Sequence, residues 1–427
     1  MSTADNGSFR GDSPGKKLSR LKHWLAAANW MGVMEVGYRG ALVLAGHGGD
    51  VSTLKGLGFD PSSITAVDRV KSLADYTAEL HPDVFVGHGD VTDPASRGGR
   101  PYNAVHLDFC GGLTVENIKA VADAVRGACT LPCWVGVTFM KGREQVGDKR
   151  KLVPKLSRAD RKALKRACRE CYPDDVVMAE MFTHGQFDLK RYLALCEARL
   201  RRYYEGIVAA GDPSFCSPLF ARSNKLTSLG QSMIRADALR QCLNAILWDA
   251  GPQHMNVRLN LVNLYSYHSG DGKNRGSGTP FVTAGFIAYA ESQTEWVARS
   301  VETYGEVLMG MNNTKLDIGL RGLKHYAIDL LRLYSPAEVA QMLDIRKGTV
   351  VAWKAHATMG TYKEELAEMA KNGVGLTGRG SSKPVPSPSG WGKTGSSDVH
   401  VTLKEMARLR DEGKERRMAG GPRWADE

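Results

Sequence analysis

The feature that most constrains the fold is the stretch ALVLAGHGGDVSTLKGLGFDPSSITAVDR, residues 41 to 69. An apolar run leads into a glycine-rich turn, a segment with helical spacing follows, and a second apolar run ends on Asp68. This pattern predicts strand, loop, helix and strand, with a carboxylate at the tip of the second strand. Glycines let backbone N–H groups approach a ligand, and such a carboxylate can accept both ribose hydroxyls. A nucleoside site and a plain tight turn both fit this stretch alone.

The next segments repeat the alternation of strand and helix. Further strands are predicted in VFVGHGDVTD, NAVHLDFCGG and CWVGVTFMKG, so that five strands alternate with helices at βαβ spacing. Three of the strands carry an acid at or near the carboxyl end: Asp68, Asp90 and Asp108. In open parallel sheets, ligands bind outside the carboxyl ends of the strands. The three acids are therefore expected to converge on one crevice.

Residues 145 to 250 interrupt this rhythm and are predicted as a basic helical insertion. Two β-rich runs follow, from Asn256 and from Thr279, joined by the short glycine-rich segment DGKNRGSG. A short glycine-rich connection favours an antiparallel hairpin that closes the sheet. The predicted fold class is α/β, with a mostly parallel sheet, a terminal antiparallel hairpin, and an α-helical C-terminal region.

The order of these features resembles a class I S-adenosylmethionine-dependent methyltransferase, across roughly residues 38 to 290 without the insertion. The resemblance implies a Rossmann-like sheet with S-adenosyl-L-methionine as cofactor. It places the glycine loop against the methionine part, Asp68 on the ribose, Asp90 with Val91 on the adenine, and Asp108 near the methyl group. The implied cofactor residues are Ala45, Gly46, His47, Gly48, Asp68, Arg69, Gly89, Asp90, Val91 and Asp108. The first loop, AGHGG, lacks the acid that commonly precedes these glycines, and the fourth strand ends in DFCG, unlike amino-methylating DNA enzymes.

The catalytic candidates are Asp108, Phe109 and Cys110. Methyl transfer depends mainly on alignment of acceptor, methyl carbon and sulfonium, so an acid and an aromatic side chain could orient a flat base. Asp108 could instead cap the following helix, and Cys110 could in principle attack a pyrimidine. Cys133 is interpreted as a core cysteine. The Cys168 and Cys171 pair lacks the four ligands of a zinc site, so no metal is expected.

The charge of the chain indicates a polyanionic partner. The net charge is +11, and residues 141 to 171 hold twelve Lys or Arg against four acids. Lys149, Arg150 and Lys151 in this segment are candidate nucleic-acid contacts. So are Lys273 and Arg275 in the hairpin loop, where Tyr265, Tyr267 and His268 are expected to overhang the crevice. A solvated helix face and a plain hairpin turn are the alternatives.

Residues 334 to 356, YSPAEVAQMLDIRKGTVVAWKAH, resemble the helix-turn-helix of sigma-factor and LuxR-type regulators. Ser335 and Glu338 have the spacing of a capping box, with Pro336 at the first helical position. The resemblance implies that the second helix enters the major groove. The residues that would then face the duplex are Arg346, Lys347, Thr349, Trp353 and Lys354. A helix pair without DNA contact is the alternative.

The chain is expected to be intracellular and cytoplasmic, because it shows no signal-peptide core and no apolar run of membrane-spanning length. Trp24 and Trp30, in a predicted amphipathic helix, are expected to be core anchors. The chain is predicted to divide into six parts. These are a disordered N-terminus (1–15), two methyltransferase-like segments (16–144 and 251–312) that flank the insertion (145–250), a helix-turn-helix region (313–371), and a flexible basic linker and tail (372–427).

Three interpretations of function follow. The first is methyl transfer from S-adenosylmethionine to DNA or RNA, at an atom and in an oligomeric state that the sequence leaves open. The second is a nucleic-acid-binding scaffold or regulator whose methyltransferase-like core has lost catalysis. The third is an enzyme with a nicotinamide dinucleotide, which the missing G-x-G-x-x-G spacing disfavours.

Overall fold

One eight-stranded sheet forms the frame of the molecule. The computed structural model describes residues 13–33, 40–142, 192–194, 196–198, 226–247, 257–270, 278–294, 314–315 and 320–358. The strands are β1 (Ala41–Leu44), β2 (Ile64–Asp68), β3 (Phe85–His88), β4 (Tyr102–Gly112), β5 (Cys129–Met140), β6 (Val257–His268), β7 (Pro280–Ala290) and β8 (Thr314–Lys315). The sequence predicted seven of these, and β8 is additional.

The strand order is β3-β2-β1-β4-β5-β7-β6-β8. Strands β1 to β5 pair in parallel, whereas β7 pairs antiparallel with both β5 and β6. The predicted mostly parallel sheet with an antiparallel hairpin is therefore confirmed. Within the hairpin, β7 lies next to β5, and β6 lies on the far side of β7. The other side of β6 pairs in parallel with β8.

Eight α-helices with defined bounds accompany the sheet, and the described residues 192–194 and 196–198 are helical as well. They are α1 (Pro14–Val33), α2 (Gly49–Gly56), α3 (Lys71–Leu80), α4 (Val115–Ala128), α5 (Ser228–Leu247), α6 (Leu320–Leu330), α7 (Pro336–Met342) and α8 (Lys347–Thr358). Helix α5 lies within the segment predicted as an insertion. Its buried residues Leu239 and Leu243 nevertheless belong to the same apolar core as the central strands.

Alternation along the strands divides the core into two faces. On β4, Val105 and Leu107 point to the face that α4 and α5 cover, while Ala104 points to the face that α1 and α2 cover. Successive strand side chains point to opposite faces, and both faces of a parallel sheet are usually covered by helices. The residues at the strand ends are therefore the ones left accessible.

Helix α1 anchors the second face. The Ser13 hydroxyl accepts a hydrogen bond from the Lys16 N–H at 3.2 Å, and Pro14 opens the helix, as expected at a helix start. Trp24 and Trp30 are fully buried against the sheet. The prediction that both are core anchors is confirmed, as is the prediction that Cys133 lies in the core.

The C-terminal helices pack on α1 and α2. Helix α7 begins with the predicted capping box, in which Ser335 and Glu338 exchange side-chain-to-backbone hydrogen bonds. Val339 and Leu343 of α7, with Val350 of α8, share a small apolar core with Leu21 and Leu25 of α1. Two helices therefore stand where the motif predicted them, and DNA binding by this pair stays a prediction.

None of the described helices combines the length and apolar character that a bilayer crossing requires. Lys149, Arg150, Lys151, Cys168, Cys171, Lys273 and Arg275 lie outside the described residues. Residues 1–12, and the linker and tail 372–427, also lie outside the described residues. Disorder was predicted for residues 1–15, but Pro14 and Gly15 belong to α1.

Candidate functional site

The strand order places a topological switch between β1 and β4. The chain leaves β1 toward β2 and β3 on one side, and β4 and β5 lie on the other. At such a switch the loops at the carboxyl ends diverge and leave a crevice, which is where open α/β sheets bind ligands. The loop after β1 and the end of β4 flank this crevice. They carry Gly46 and Asp108, so the topology brings together two of the predicted elements.

The loop after β1 depends on its glycines. Gly46 and Gly48 adopt φ values of 48° and 77°, which favour glycine. A Cβ at Gly46 would meet no described atom within 4 Å, whereas one at Gly48 would lie 3.0 Å from His81 Nε2. The loop therefore packs against His81 at Gly48, whereas the space beside Gly46 is open. His47 is exposed and stands edge-on to Tyr76, with ring centroids 5.9 Å apart, while the side chain of Ala45 is buried.

Asp68 joins the end of β2 to that loop. Its carboxylate accepts hydrogen bonds from Gly46 N–H at 3.0 Å and from Val70 N–H at 2.8 Å, one on each oxygen. Each carboxylate oxygen has two lone pairs, so both oxygens can accept a further donor. Asp68 is therefore held in one orientation while it keeps the capacity to bind a pair of hydroxyl groups.

Asp90 follows β3 and is engaged by its neighbours. One oxygen accepts bonds from the Thr92 N–H and hydroxyl, both at 2.9 Å, and the other pairs with Arg69. Burial would raise the pKa of Asp90, but the Thr92 bonds and the Arg69 guanidinium together hold that pKa below its usual range. Because the Arg69 side chain is well exposed, the ion pair is worth at most about 1 kcal/mol. A ligand could therefore displace Arg69 at small cost.

Asp108 is the most constrained of the three acids, with its side chain only 12% exposed. One oxygen lies 2.9 Å from Lys16 Nζ of α1. The other oxygen is buried and has no hydrogen-bond partner among the described residues. A buried acceptor without a donor is costly, so this atom is suited to the N–H of a ligand. Helix α4 is capped by Thr114, whose side chain accepts from Asn117 N–H, so Asp108 is not its cap.

Four further predicted residues differ in their environments. Phe109 is half-buried against the main core, and Cys110 is exposed at the end of β4. Val91 is buried in the core, so only its backbone could contact a ligand. Gly89, with a φ of 152°, lies so close to Ser96 that a side chain would not fit there.

The aromatic residues of the hairpin do not overhang the crevice, contrary to the sequence prediction. Tyr265 and Tyr267 are buried with Leu18 and Met140, and the Tyr267 ring stacks on Phe281 at 5.5 Å. Burial also raises the pKa of Tyr265 well above its usual value. The prediction was wrong because β6 is covered on both faces, so aromatic residues on this strand pack in the core and do not face a ligand.

The five residues that were predicted to face a DNA duplex lie on or next to α8. Arg346, Lys347 and Lys354 are exposed, and Thr349 is half-buried. Trp353 packs against the apolar core that α1 shares with α7 and α8. A basic exposed face is therefore present, but Trp353 serves mainly in packing.

A buried polar network behind the glycine loop was not predicted. Asp50 accepts hydrogen bonds from Arg20 Nε at 3.1 Å and Trp24 Nε1 at 2.7 Å, and pairs with His106 Nδ1 at 2.7 Å. His106 Nε2 reaches the Thr138 hydroxyl at 3.0 Å. Burial opposes ionisation of Asp50, but these donors, His106 and Arg20 foremost, hold its pKa far below its usual range. The network joins α1 and α2 to β4 and β5 and so fixes the loop from behind.

Neither this network nor Lys16 had a local signal that could have revealed it. Lys16 belongs to a helix with several other lysines and arginines, and only the packing of α1 decides which of them reaches Asp108. His106 could have been noticed as a polar residue within an apolar strand. Its partner Asp50 is 56 residues away, a separation that no sequence spacing rule covers.

The chain has similarity to solved structures. DesVI from Streptomyces venezuelae matches 32% of this chain and 57% of its own, at 22% identity and a TM-score of 0.24. A TehB-like SAM-dependent methyltransferase from Corynebacterium glutamicum matches 32% of this chain and 78% of its own, at 17% identity and a TM-score of 0.20. The plantazolicin methyltransferase BamL, solved with SAH and a triazolic desmethylPZN analog, matches 62% of this chain and 84% of its own, at 10% identity and a TM-score of 0.28.

The chain therefore spans little more than half the length of DesVI. No protein-family profile and no curated protein matches the sequence.

Proposed function

We propose that the chain is an S-adenosylmethionine-dependent methyltransferase that acts on a nucleic acid. The observation that carries the proposal is Asp68, oriented by the Gly46 and Val70 N–H groups at the switch between β1 and β4. A pre-oriented carboxylate beside an open glycine loop suits the ribose of a nucleoside cofactor. The strand order with one antiparallel strand agrees with what the sequence resemblance implies.

Each acid has a separate task in this proposal. Asp68 would hold the two ribose hydroxyls of the cofactor, and Asp90 would exchange its ion pair with Arg69 for the amino group of the adenine. Bound S-adenosylmethionine supplies an electrophilic methyl group on a sulfonium. Asp108, held by Lys16, uses its unpaired oxygen to accept an N–H of the acceptor base and so orients it. Fixing this orientation lowers the barrier, because the transfer depends on alignment.

A nucleic acid is the proposed acceptor because of charge. The chain carries +11, and the exposed residues Arg346, Lys347 and Lys354 form a basic face around α8. Phosphate contacts from Lys and Arg supply most of the non-specific affinity for nucleic acids. DNA and RNA share this chemistry and are both included in the proposal.

The proposal is tested by calorimetric titration of S-adenosylmethionine into the wild type, Asp68→Ala and Asp83→Ala. Asp83 is the matched control, because it is an exposed acid paired with Lys55. We expect Asp68→Ala to lose at least about tenfold in affinity, or about 1.4 kcal/mol, and Asp83→Ala to bind like the wild type. Equal binding by Asp68→Ala and the wild type would remove the basis of the proposal.

Transfer of a labelled methyl group to DNA and to RNA tests the acceptor. Asp108→Ala should bind S-adenosylmethionine normally but lose turnover, because its oxygen is assigned to the acceptor. Full turnover in this variant would exclude that role.

The scaffold interpretation has one observation in its favour. Asp90 and Asp108 are both paired with cations, Arg69 and Lys16, in the structure. A protein that never binds a cofactor would keep these pairs. Nucleic-acid binding without any calorimetric signal for S-adenosylmethionine, in a folded sample, would support it.

A further inference from the structure

A cavity lies where strands β4 and β5 begin, at the opposite end of these strands from the crevice. Its volume is about 370 Å³, within the range of small-molecule sites. Three arginines line it, Arg97, Arg100 and Arg126. Tyr102, where β4 begins, lies six residues before Asp108, or about 20 Å at a rise of about 3.3 Å per residue. Pro94 of the cavity lining follows Asp93, whose N–H donates to the Asp90 carbonyl at 3.0 Å, so the cavity borders the loop after β3 but lies away from Asp108.

Arg97 is the central feature of this cavity. It is only 3% exposed, and its guanidinium Nη1 has no hydrogen-bond partner among the described residues. Its position is fixed from the backbone, because the Tyr102 hydroxyl donates to the Arg97 carbonyl at 2.6 Å. A buried guanidinium N–H group without an acceptor is unfavourable. An anion bound in the cavity would supply the acceptor that Arg97 Nη1 lacks, which explains why an arginine stands at this wall.

Gly127, at the end of α4, makes room for this side chain. A Cβ at Gly127 would lie 3.3 Å from Arg97 Nη2 and 3.6 Å from Nη1. The first distance is tighter than ordinary van der Waals contact, so a side chain here would press on the guanidinium. The absence of a side chain at Gly127 therefore leaves room for the Arg97 guanidinium at the wall of the cavity.

Arg100 and Arg126 add charge at the rim. Both are exposed; Arg100 donates to the Ser62 carbonyl, and Arg126 Nη2 donates to the Ile246 carbonyl at 2.8 Å. Neutral carbonyls leave the positive charge of these side chains uncompensated. The carboxyl end of α4 contributes only about half a negative charge. Asp93 interacts with Arg97 and contributes one more, so the cavity keeps a net positive charge.

We propose that this cavity binds the phosphate group of a phosphate monoester. Guanidinium groups match phosphate oxygens in forked pairs, and a dianion with three acceptor oxygens balances several arginines better than a carboxylate does. The volume exceeds that of a phosphate alone, so the ligand carries an organic group. A mononucleotide and the 5′-phosphate end of an oligonucleotide share this chemistry. The site does not depend on the methyltransferase proposal.

The test is calorimetric titration of AMP, and separately of inorganic phosphate, into the full chain at constant ionic strength. The variants are Arg97→Met and Arg126→Gln. The control is Arg332→Gln, because Arg332 is an exposed arginine in the turn after α6 and does not line the cavity. We expect wild-type binding of AMP, a loss of tenfold or more in both cavity variants, and no change in Arg332→Gln. Because Arg126 is exposed, Arg126→Gln keeps the test valid if Arg97→Met fails to fold.

Absence of binding to the wild type at millimolar AMP and phosphate would overturn the proposal. Equal binding by the wild type and both cavity variants would do so as well. A 5′-phosphorylated tetranucleotide, compared with its 5′-hydroxyl form, distinguishes the sources: a preference for the phosphorylated oligomer over AMP assigns a strand end, and the reverse assigns a free nucleotide. S-adenosylmethionine binding, measured on the same variants, should be unchanged, so a failure here is distinct from a failure at the other crevice.

Discussion

At the scale of the residue, the buried histidine His23 has a lower pKa in the folded protein than in the unfolded chain. Its ring lies 4.6 Å from that of His106, and its Nε2 accepts from Trp134 Nε1 at 3.1 Å. Burial and the nearby His106 lower the pKa of His23 well below 6.5, against a weaker opposite pull from Asp50 and Asn263. The folded state therefore keeps this ring neutral at pH values where the unfolded chain protonates it.

The expected consequence is a loss of stability on mild acidification. Below pH 6.5 the unfolded state binds one proton more than the folded state, so the free energy of unfolding falls as the pH falls. One such proton corresponds to about 1 kcal/mol between pH 7 and pH 5.5. Urea unfolding of the wild type and His23→Gln, followed by tryptophan fluorescence, measures this term, and the glutamine keeps an acceptor for Trp134.

The variant should lose about 1 kcal/mol less than the wild type over the same pH interval. His88→Gln is the control, since His88 is exposed on β3, and it should behave like the wild type. An identical pH response in His23→Gln and the wild type would show that His23 is not the group responsible.

At the scale of the element, the contact between α2 and α7 attaches the C-terminal helices to the sheet domain. The Thr53 hydroxyl donates to the Met342 carbonyl at 3.0 Å, and Lys17 of α1 reaches the Asp344 carboxylate at 3.2 Å. Gly56, at the end of α2, has the backbone of Met342 directly against it. The two helices can approach this closely only because Gly56 has no side chain.

Two glycine-to-alanine substitutions should therefore have opposite effects. A Cβ at Gly56 would lie 2.6 Å from the Met342 nitrogen, whereas one at Gly348 in α8 meets nothing within 4 Å. Gly56→Ala should force α7 away from α2 and outweigh the roughly 1 kcal/mol that alanine gains in a helix. Gly348→Ala should stabilise by up to about 1 kcal/mol.

Hydrogen exchange of residues 336–358 measures both effects, because local opening of a unit follows its own stability. Exchange should quicken in Gly56→Ala and slow in Gly348→Ala. Equal protection of this segment in Gly56→Ala and the wild type would show that α7 does not rely on the contact with α2.

The order of these elements could be predicted from sequence, whereas their packing could not. The alternation of βαβ units and the capping box at Ser335 depend on residues a few positions apart, so local patterns contain them. The acids Asp68, Asp90 and Asp108 were located for the same reason, since each ends an apolar run. Lys16 beside Asp108 and the Asp50 network depend on pairs far apart in the chain, and Tyr265 was misjudged because burial of a strand is a tertiary property.

At the scale of the whole molecule, basic side chains stand on two separate faces of the described sheet domain. Helix α8 and the residue before it present Arg346, Lys347 and Lys354 to solvent. Helices α4 and α5 cover the opposite face of the sheet from α1, on which α8 packs. If the basic face contacts a nucleic acid, charges on the two faces should contribute differently to binding.

The double variant Arg346→Ala/Lys354→Ala should reduce the salt dependence of binding to duplex DNA. Each phosphate contact contributes about 0.9 to the slope of log Kobs against log salt, so the slope should fall in magnitude by about 2. The control Lys119→Ala/Arg240→Ala removes the same charge from α4 and α5 and should leave the slope unchanged. Equal slopes for both double variants would assign the binding to net charge alone.

The contacts of α1 have a consequence for synthesis of the protein. Ser13, Ser19 and Lys17 of this helix bond to partners 255, 264 and 327 residues later in the chain. At about 5 to 20 residues per second, the ribosome needs roughly 16 to 65 seconds to make the last of these partners after Lys17. For that time α1, which carries the apolar residues Trp24 and Trp30, cannot complete its packing, which makes it a target for chaperones that bind apolar segments.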